Sequence, residues 1–108
     1  MKAQIPAVIT TYFEASNAND IEALVACFSP DAQVTDENQI HRGAAEIKAW
    51  GENVRKKFLF KTDILKATER DSGAVVTAKL SGNFPGSPVE LEFTFILDHN
   101  KICSLVID

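Results

Sequence analysis

The stretch Phe28-Ser29-Pro30-Asp31-Ala32-Gln33-Val34-Thr35-Asp36 decides how the rest of the chain is read. Phe28 completes a helical spacing with Ile21, Leu24 and Val25, and Ser29-Pro30-Asp31 supplies residues that stop a helix. From Ala32 the period changes to two. Ala32, Val34 and Asp36 then share one side of a strand, while Gln33, Thr35 and Glu37 share the other. A helix running into a half-buried strand is therefore expected here, with one carboxylate, Asp36, on the otherwise apolar face. That residue breaks the local pattern, and such breaks concentrate at functional sites.

Upstream, Ile5, Val8, Ile9, Tyr12 and Phe13 fall at the spacing of one helical face, which predicts a first helix from Ile5 to about Ser16. Pro6 suits its first turn, and Asn17-Ala18-Asn19 interrupts it before Asn19 or Asp20 caps the second helix. Downstream a loop is expected up to Gly43, which with Glu46 three residues on opens a third helix. Its inward residues are Ile47, Trp50, Val54 and Phe58, and it runs as far as Lys57 or so. Four strands follow, 60–69, 74–82, 89–97 and 102–107, joined at Asp71-Ser72-Gly73, Pro85-Gly86-Ser87-Pro88 and Asp98-His99-Asn100. In the third of these Val89, Leu91, Phe93, Phe95 and Leu97 face one way, and Glu90, Glu92 and Thr94 the other. Segregated helices and strands in the order ααβαββββ predict the α+β class, in one domain spanning 1–108.

Bulk properties narrow the functional classes. The chain has 108 residues, 45% of them hydrophobic and 24% charged, which fits one globular core. With a net charge of −4 and no basic cluster, neither a nucleic-acid partner nor an anionic membrane surface is expected. No stretch approaches the roughly 20 apolar residues of a membrane span and the start lacks a signal-peptide core, so a cytoplasmic location is expected. Cys27 and Cys103 stand among apolar neighbours and read as buried free thiols. Metal-spaced His and Cys sets, a Gly-rich phosphate loop and a Gly-x-Ser-x-Gly elbow are all missing from the sequence, so neither a metal nor another cofactor is expected.

The segment 28–36, followed by Arg42-Gly43-Ala44-Ala45-Glu46-Ile47, resembles the NTF2-like superfamily, in particular SnoaL-like proteins and bacterial ketosteroid isomerases. The similarity covers essentially the whole chain, and Tyr12 on the first helix and the Asn-Asp start of the second fit it in sequence. The resemblance implies an NTF2-like cone: three helices packed on a curved, mixed but mostly antiparallel sheet that encloses a pocket. It implies a homodimer as well, a state to which an outer sheet face mixing Val75, Thr94 and Ile96 with charges is suited. In the isomerases a helix-1 tyrosine donates a hydrogen bond to the substrate's oxyanion and an aspartate at the end of the first strand shuttles the proton. Tyr12 and Asp36 are the matching residues. The isomerases' second oxyanion donor, a protonated aspartate, aligns with Phe93 here. The late-strand acid of SnoaL-like cyclases is not matched either, because Glu90 and Glu92 alternate away from the apolar face.

Asp36 can be read as a general base enclosed by Phe28, Val34 and Trp50, or as a strand-end cap over the amides near Asn38 and Gln39. Tyr12 can be an oxyanion donor or a core tyrosine bonded to a backbone carbonyl. Trp50, Phe58, Phe84, Phe93 and Phe95 can line a ligand cavity or simply pack. Arg42, with His41 beside it, can clamp an anionic group of a ligand, or the two can form a solvated helix entry. Two functions compete. One is a cofactor-free isomerase, cyclase or lyase acting on a small apolar carbonyl compound, with Asp36 as base and Tyr12 as donor. The other is a non-catalytic module of the same fold that holds a small apolar molecule or a protein partner.

Overall fold

A computed structural model describes residues 5–57, 60–70 and 72–108. Helix α1 (Ala7–Asn17) starts behind Pro6 and buries Ile9, Tyr12, Phe13 and Ala15. Asn19 turns the chain with a φ of 57°. Asp20 then caps α2 (Ile21–Ala26), its Oδ1 accepting from the Ala23 N–H at 3.1 Å. Of the two cap candidates it is therefore Asp20 that acts.

Strand β1 (Phe28–Asp36) begins four residues before the expected point, and Phe28 belongs to it rather than to the second helix. The cause is tertiary. The Ile102 N–H donates to the Cys27 carbonyl at 2.8 Å, and Phe28 lies opposite Ile102 in a parallel pairing. Helix or strand would bury Phe28 equally well, and the parallel neighbour selects strand. Ser29-Pro30-Asp31 falls where the register shifts between Phe28 and Gln33, so proline's missing N–H costs no ladder bond.

The expected loop after β1 contains a further strand, β2 (Gln39–Arg42), which corrects the element order to ααββαββββ. Glu37 and Asn38, with φ of 52° and 64°, form the two-residue hairpin between them. Helix α3 (Gly43–Lys57) follows. Gly43 takes a φ of 81°, which glycine adopts without a side-chain clash, and Glu46 Oε1 accepts from the Arg42 N–H at 2.8 Å. Ile47, Trp50 and Gly51 on α3 are buried. The predicted inward residue Phe58 lies outside the described residues.

Strands β3 (Phe60–Arg70), β4 (Gly73–Gly82), β5 (Val89–Asp98) and β6 (Lys101–Ile107) complete one open sheet in the order β2-β1-β6-β5-β4-β3. Among the described residues only β1 and β6 pair in parallel. The alternation read from β5 is kept: Phe93 and Phe95 are buried, and Glu90, Glu92 and Ile96 are exposed. Across the inner face Phe95 stands opposite Ala74 and Leu105, and Phe93 opposite Val76 and Ile107. Helix α1 lays Tyr12 and Phe13 edge-on against these rings, at centroid distances of 5.2 to 5.8 Å.

The far end of α1 is fastened to the sheet's edge. The Asn17 side-chain amide donates to the Thr62 carbonyl at 2.9 Å and accepts from the Thr62 N–H at 2.8 Å. A side chain thereby supplies what a neighbouring strand would give to the edge strand β3. Thr62 is 5% exposed, so Asn17→Ala strands two backbone groups away from water. It is expected to lower stability by about 2 kcal/mol, readable as a reduced urea midpoint with unchanged slope. A loss below about 0.5 kcal/mol would show that water replaces the amide there.

Candidate functional site

The helices stand off the inner sheet face far enough to leave a cavity of about 490 Å³. Its deep wall holds the buried Tyr12, Phe13, Leu24, Trp50, Thr62 and Phe93. Exposed Glu37 and Gln39 from the β1–β2 hairpin, Asn53 from α3, and Pro85 and Gly86 from the β4–β5 loop mark its mouth. Gly51 lets α2 and α3 approach on this side, because a Cβ there would come within 3.3 Å of Ile21 Cδ1.

Asp36 is half-buried and lines the cavity from the last position of β1. Trp50 fixes its carboxylate. The indole Nε1–H donates to Asp36 Oδ2 at 3.0 Å, joining α3 to the strand end. His41, opposite Val34 on β2, has its ring 6.1 Å from that of Trp50 and also lines the cavity. Tyr12 reaches the same space with its ring held edge-on by Phe13, Phe28 and Phe95 at 5.1, 5.9 and 5.5 Å. A bound molecule would thus meet a carboxylate, a tyrosine and an imidazole in a largely apolar chamber.

Of the residues singled out from the sequence, Asp36, Tyr12, Trp50, His41 and Phe93 come together in the lining, and Phe84 joins them from the β4–β5 loop. Phe28, Val34 and Phe95 are buried in the core and do not form part of the lining. Arg42 is exposed outside it. Sequence reasoning missed Thr62, Glu37, Gln39 and Asn53. Alternation assigns Glu37 to the outer face, but two successive residues of positive φ break the parity and bring it to the mouth. The mid-helix glycine at position 51 was the available signal for close helix packing around a cavity.

Cys27 lies outside the lining and donates its thiol to the Ala23 carbonyl at 3.4 Å. Burial pushes this thiol above its ordinary value, opposed by the nearby Lys101 ammonium, so it is a protonated packing residue. Among the described residues no group of three His, Cys, Asp or Glu side chains could hold a metal ion, and no helix is long and apolar enough to cross a membrane.

Comparison with known proteins adds to this geometry. The model of the SnoaL-like domain matches residues 9–101. A crystal structure of a provisionally assigned polyketide cyclase from Sinorhizobium meliloti is 38% identical, with a TM-score of 0.94 over 96% of this chain and 95% of that one. A protein from Catenulispora acidiphila with a ketosteroid isomerase-like fold, solved with trimethylamine, is 18% identical (TM-score 0.86, covering 97% of this chain and 86% of that one). An NTF2-like protein from Cytophaga hutchinsonii is also 18% identical, at a TM-score of 0.79 over all of this chain and 93% of that one. The last two likenesses are of fold alone. No curated protein matches the sequence.

Proposed function

The chain belongs to the SnoaL-like domain family, and from that premise we propose that its cavity binds a small, largely apolar carbonyl compound on which Asp36 moves a proton. The observation that carries this reading is a carboxylate held by an indole N–H inside an apolar chamber. In the proposed reaction Asp36 removes the proton from a carbon beside the carbonyl, and the C–H electron pair passes into an enolate. Tyr12 donates a hydrogen bond to the enolate oxygen, and Asp36 returns the proton at another carbon. No cofactor takes part in this sequence of steps. The outcome is an isomerisation, or, where a second carbonyl accepts the enolate carbon, a cyclisation in which Asp36 gives the proton to that carbonyl's oxygen instead.

Phe93 favours a second reading, in which the domain binds such a molecule without converting it. It occupies the cavity wall at the position aligned with the isomerases' second donor, and a phenyl ring has no proton to give.

Binding tests the premise that both readings share. Trp50 is the only tryptophan and is bonded to Asp36, so its emission reports on occupancy. Aromatic ketones and cyclic enones are expected to shift that emission and raise the melting temperature, by the equivalent of about 2.7 kcal/mol at a hundredfold excess over Kd. If neither signal moves with any compound of a broad panel, the cavity is not a ligand site.

A further inference from the structure

The charged and aromatic groups of the cavity wall constrain the ligand beyond its size. Two carboxylates, Asp36 and Glu37, line the cavity, and among the described residues no lysine or arginine does. Among the described residues the rings of Tyr12, Phe13, Trp50, Phe60, Phe84 and Phe93 share the wall with the His41 imidazole. Ring faces carry negative quadrupole density, so a ring that turns its face to a guest acts on it with the same sign as the carboxylates. An anionic ligand would enter against both, whereas a cationic one would be drawn by both.

Proton removal neutralises Asp36 and passes its charge to an enolate near the carboxylate of Glu37, and among the described residues no lysine or arginine lines the wall to offset it. Phe93 supplies no donor where another could have stood. A positive charge on the substrate itself would offset the enolate as it forms, leaving a net neutral zwitterion.

Resting on the reading of this cavity as the ligand site, we infer that its substrate is a small apolar carbonyl compound bearing an amine cation. One charge set thereby serves both steps. The aromatic and acidic wall selects the ammonium group in the ground state, and the ammonium stabilises the enolate after Asp36 has taken the proton.

Three probes separate this inference from its premise: phenyltrimethylammonium, its neutral isostere tert-butylbenzene, and the related, larger anion 4-tert-butylbenzoate. Each is titrated against the intact protein by Trp50 emission and by melting temperature. The expected order is cation, then neutral, then anion, with the cation bound about tenfold tighter than the isostere. Glu37→Gln and Asp36→Asn, each checked for an unchanged fold by circular dichroism, should weaken the cation more than the neutral probe. A neutral probe that binds as tightly as the cation would overturn the inference and leave the cavity as a ligand site. Failure of all three probes to bind, while ketones do, would overturn it likewise. Failure of the probes and the ketones together would remove the premise too.

Discussion

Asp36→Asn is expected to lower turnover of a converted substrate by about 10²- to 10⁴-fold, the range that a positioned general base contributes. Asparagine keeps the shape of the side chain and an amide oxygen that can still accept from the Trp50 N–H, now 3.0 Å from Asp36 Oδ2. It has no lone pair basic enough to take a carbon-bound proton. The variant should therefore stay folded, with a melting temperature near that of the parent, and retain affinity for a neutral ketone. Tyr12→Phe, which removes one donor from the enolate oxygen, should slow the same step less. Stopped-flow or steady-state rates alongside calorimetry decide the matter. If Asp36→Asn unfolds the chain, or leaves the rate intact, Asp36 serves to hold Trp50 and the non-catalytic reading becomes the better one.

The second large effect concerns stability. Phe95 is 1% exposed and lies against Tyr12 and Phe13 at ring distances of 5.5 and 5.8 Å. Phe95→Ala deletes the ring on which α1 rests and is expected to cost about 4 kcal/mol, the usual range for a buried phenylalanine. For a domain of this size that amounts to a melting temperature lower by roughly 15–30 °C. Tyr12 loses one of its three edge contacts, so any compound bound in the cavity should be held more weakly even where the fold survives. A measured loss under about 1 kcal/mol would mean that α1 resettles into the gap.

How far the sequence can be read follows from what periodicity encodes. Period two in β5 distinguished Phe93 and Phe95 from Glu90 and Glu92, and the same rule placed Asp36 with Val34 on the inner face of β1. Parity fixes a face, not a position along it. Phe93 and Phe95 share a face, yet only Phe93 lines the cavity, because Tyr12 and Phe13 both pack against Phe95. Strand β2 left no signal: it is four residues long, lies at the sheet edge, and exposes its one large apolar residue, Ile40, by 51%. Its turn is built from Glu37-Asn38, without the glycine that marks such hairpins most strongly. Phe28 was misplaced because both readings bury it. The choice between them was made by Ile102, far along the chain.

That parallel pairing also governs when the domain can assemble. Val34 on β1 has its parallel partner in Leu105 on β6, roughly seventy residues later, and β6 is the strand that bridges β1 to β5. A chain leaving the ribosome can form α1, α2, the β1–β2 hairpin and the β3–β5 hairpins from local contacts, but β1 has no seat beside β5, β4 and β3 until residues 101–107 have emerged. At a synthesis rate of about 5–20 residues per second, the segment carrying Asp36 waits several seconds with an unpaired edge. The inner face that will become the cavity is open through that interval. A nascent chain arrested before Lys101 should therefore be captured by chaperones and cleaved readily near β1, and release of the last strand should end both at once.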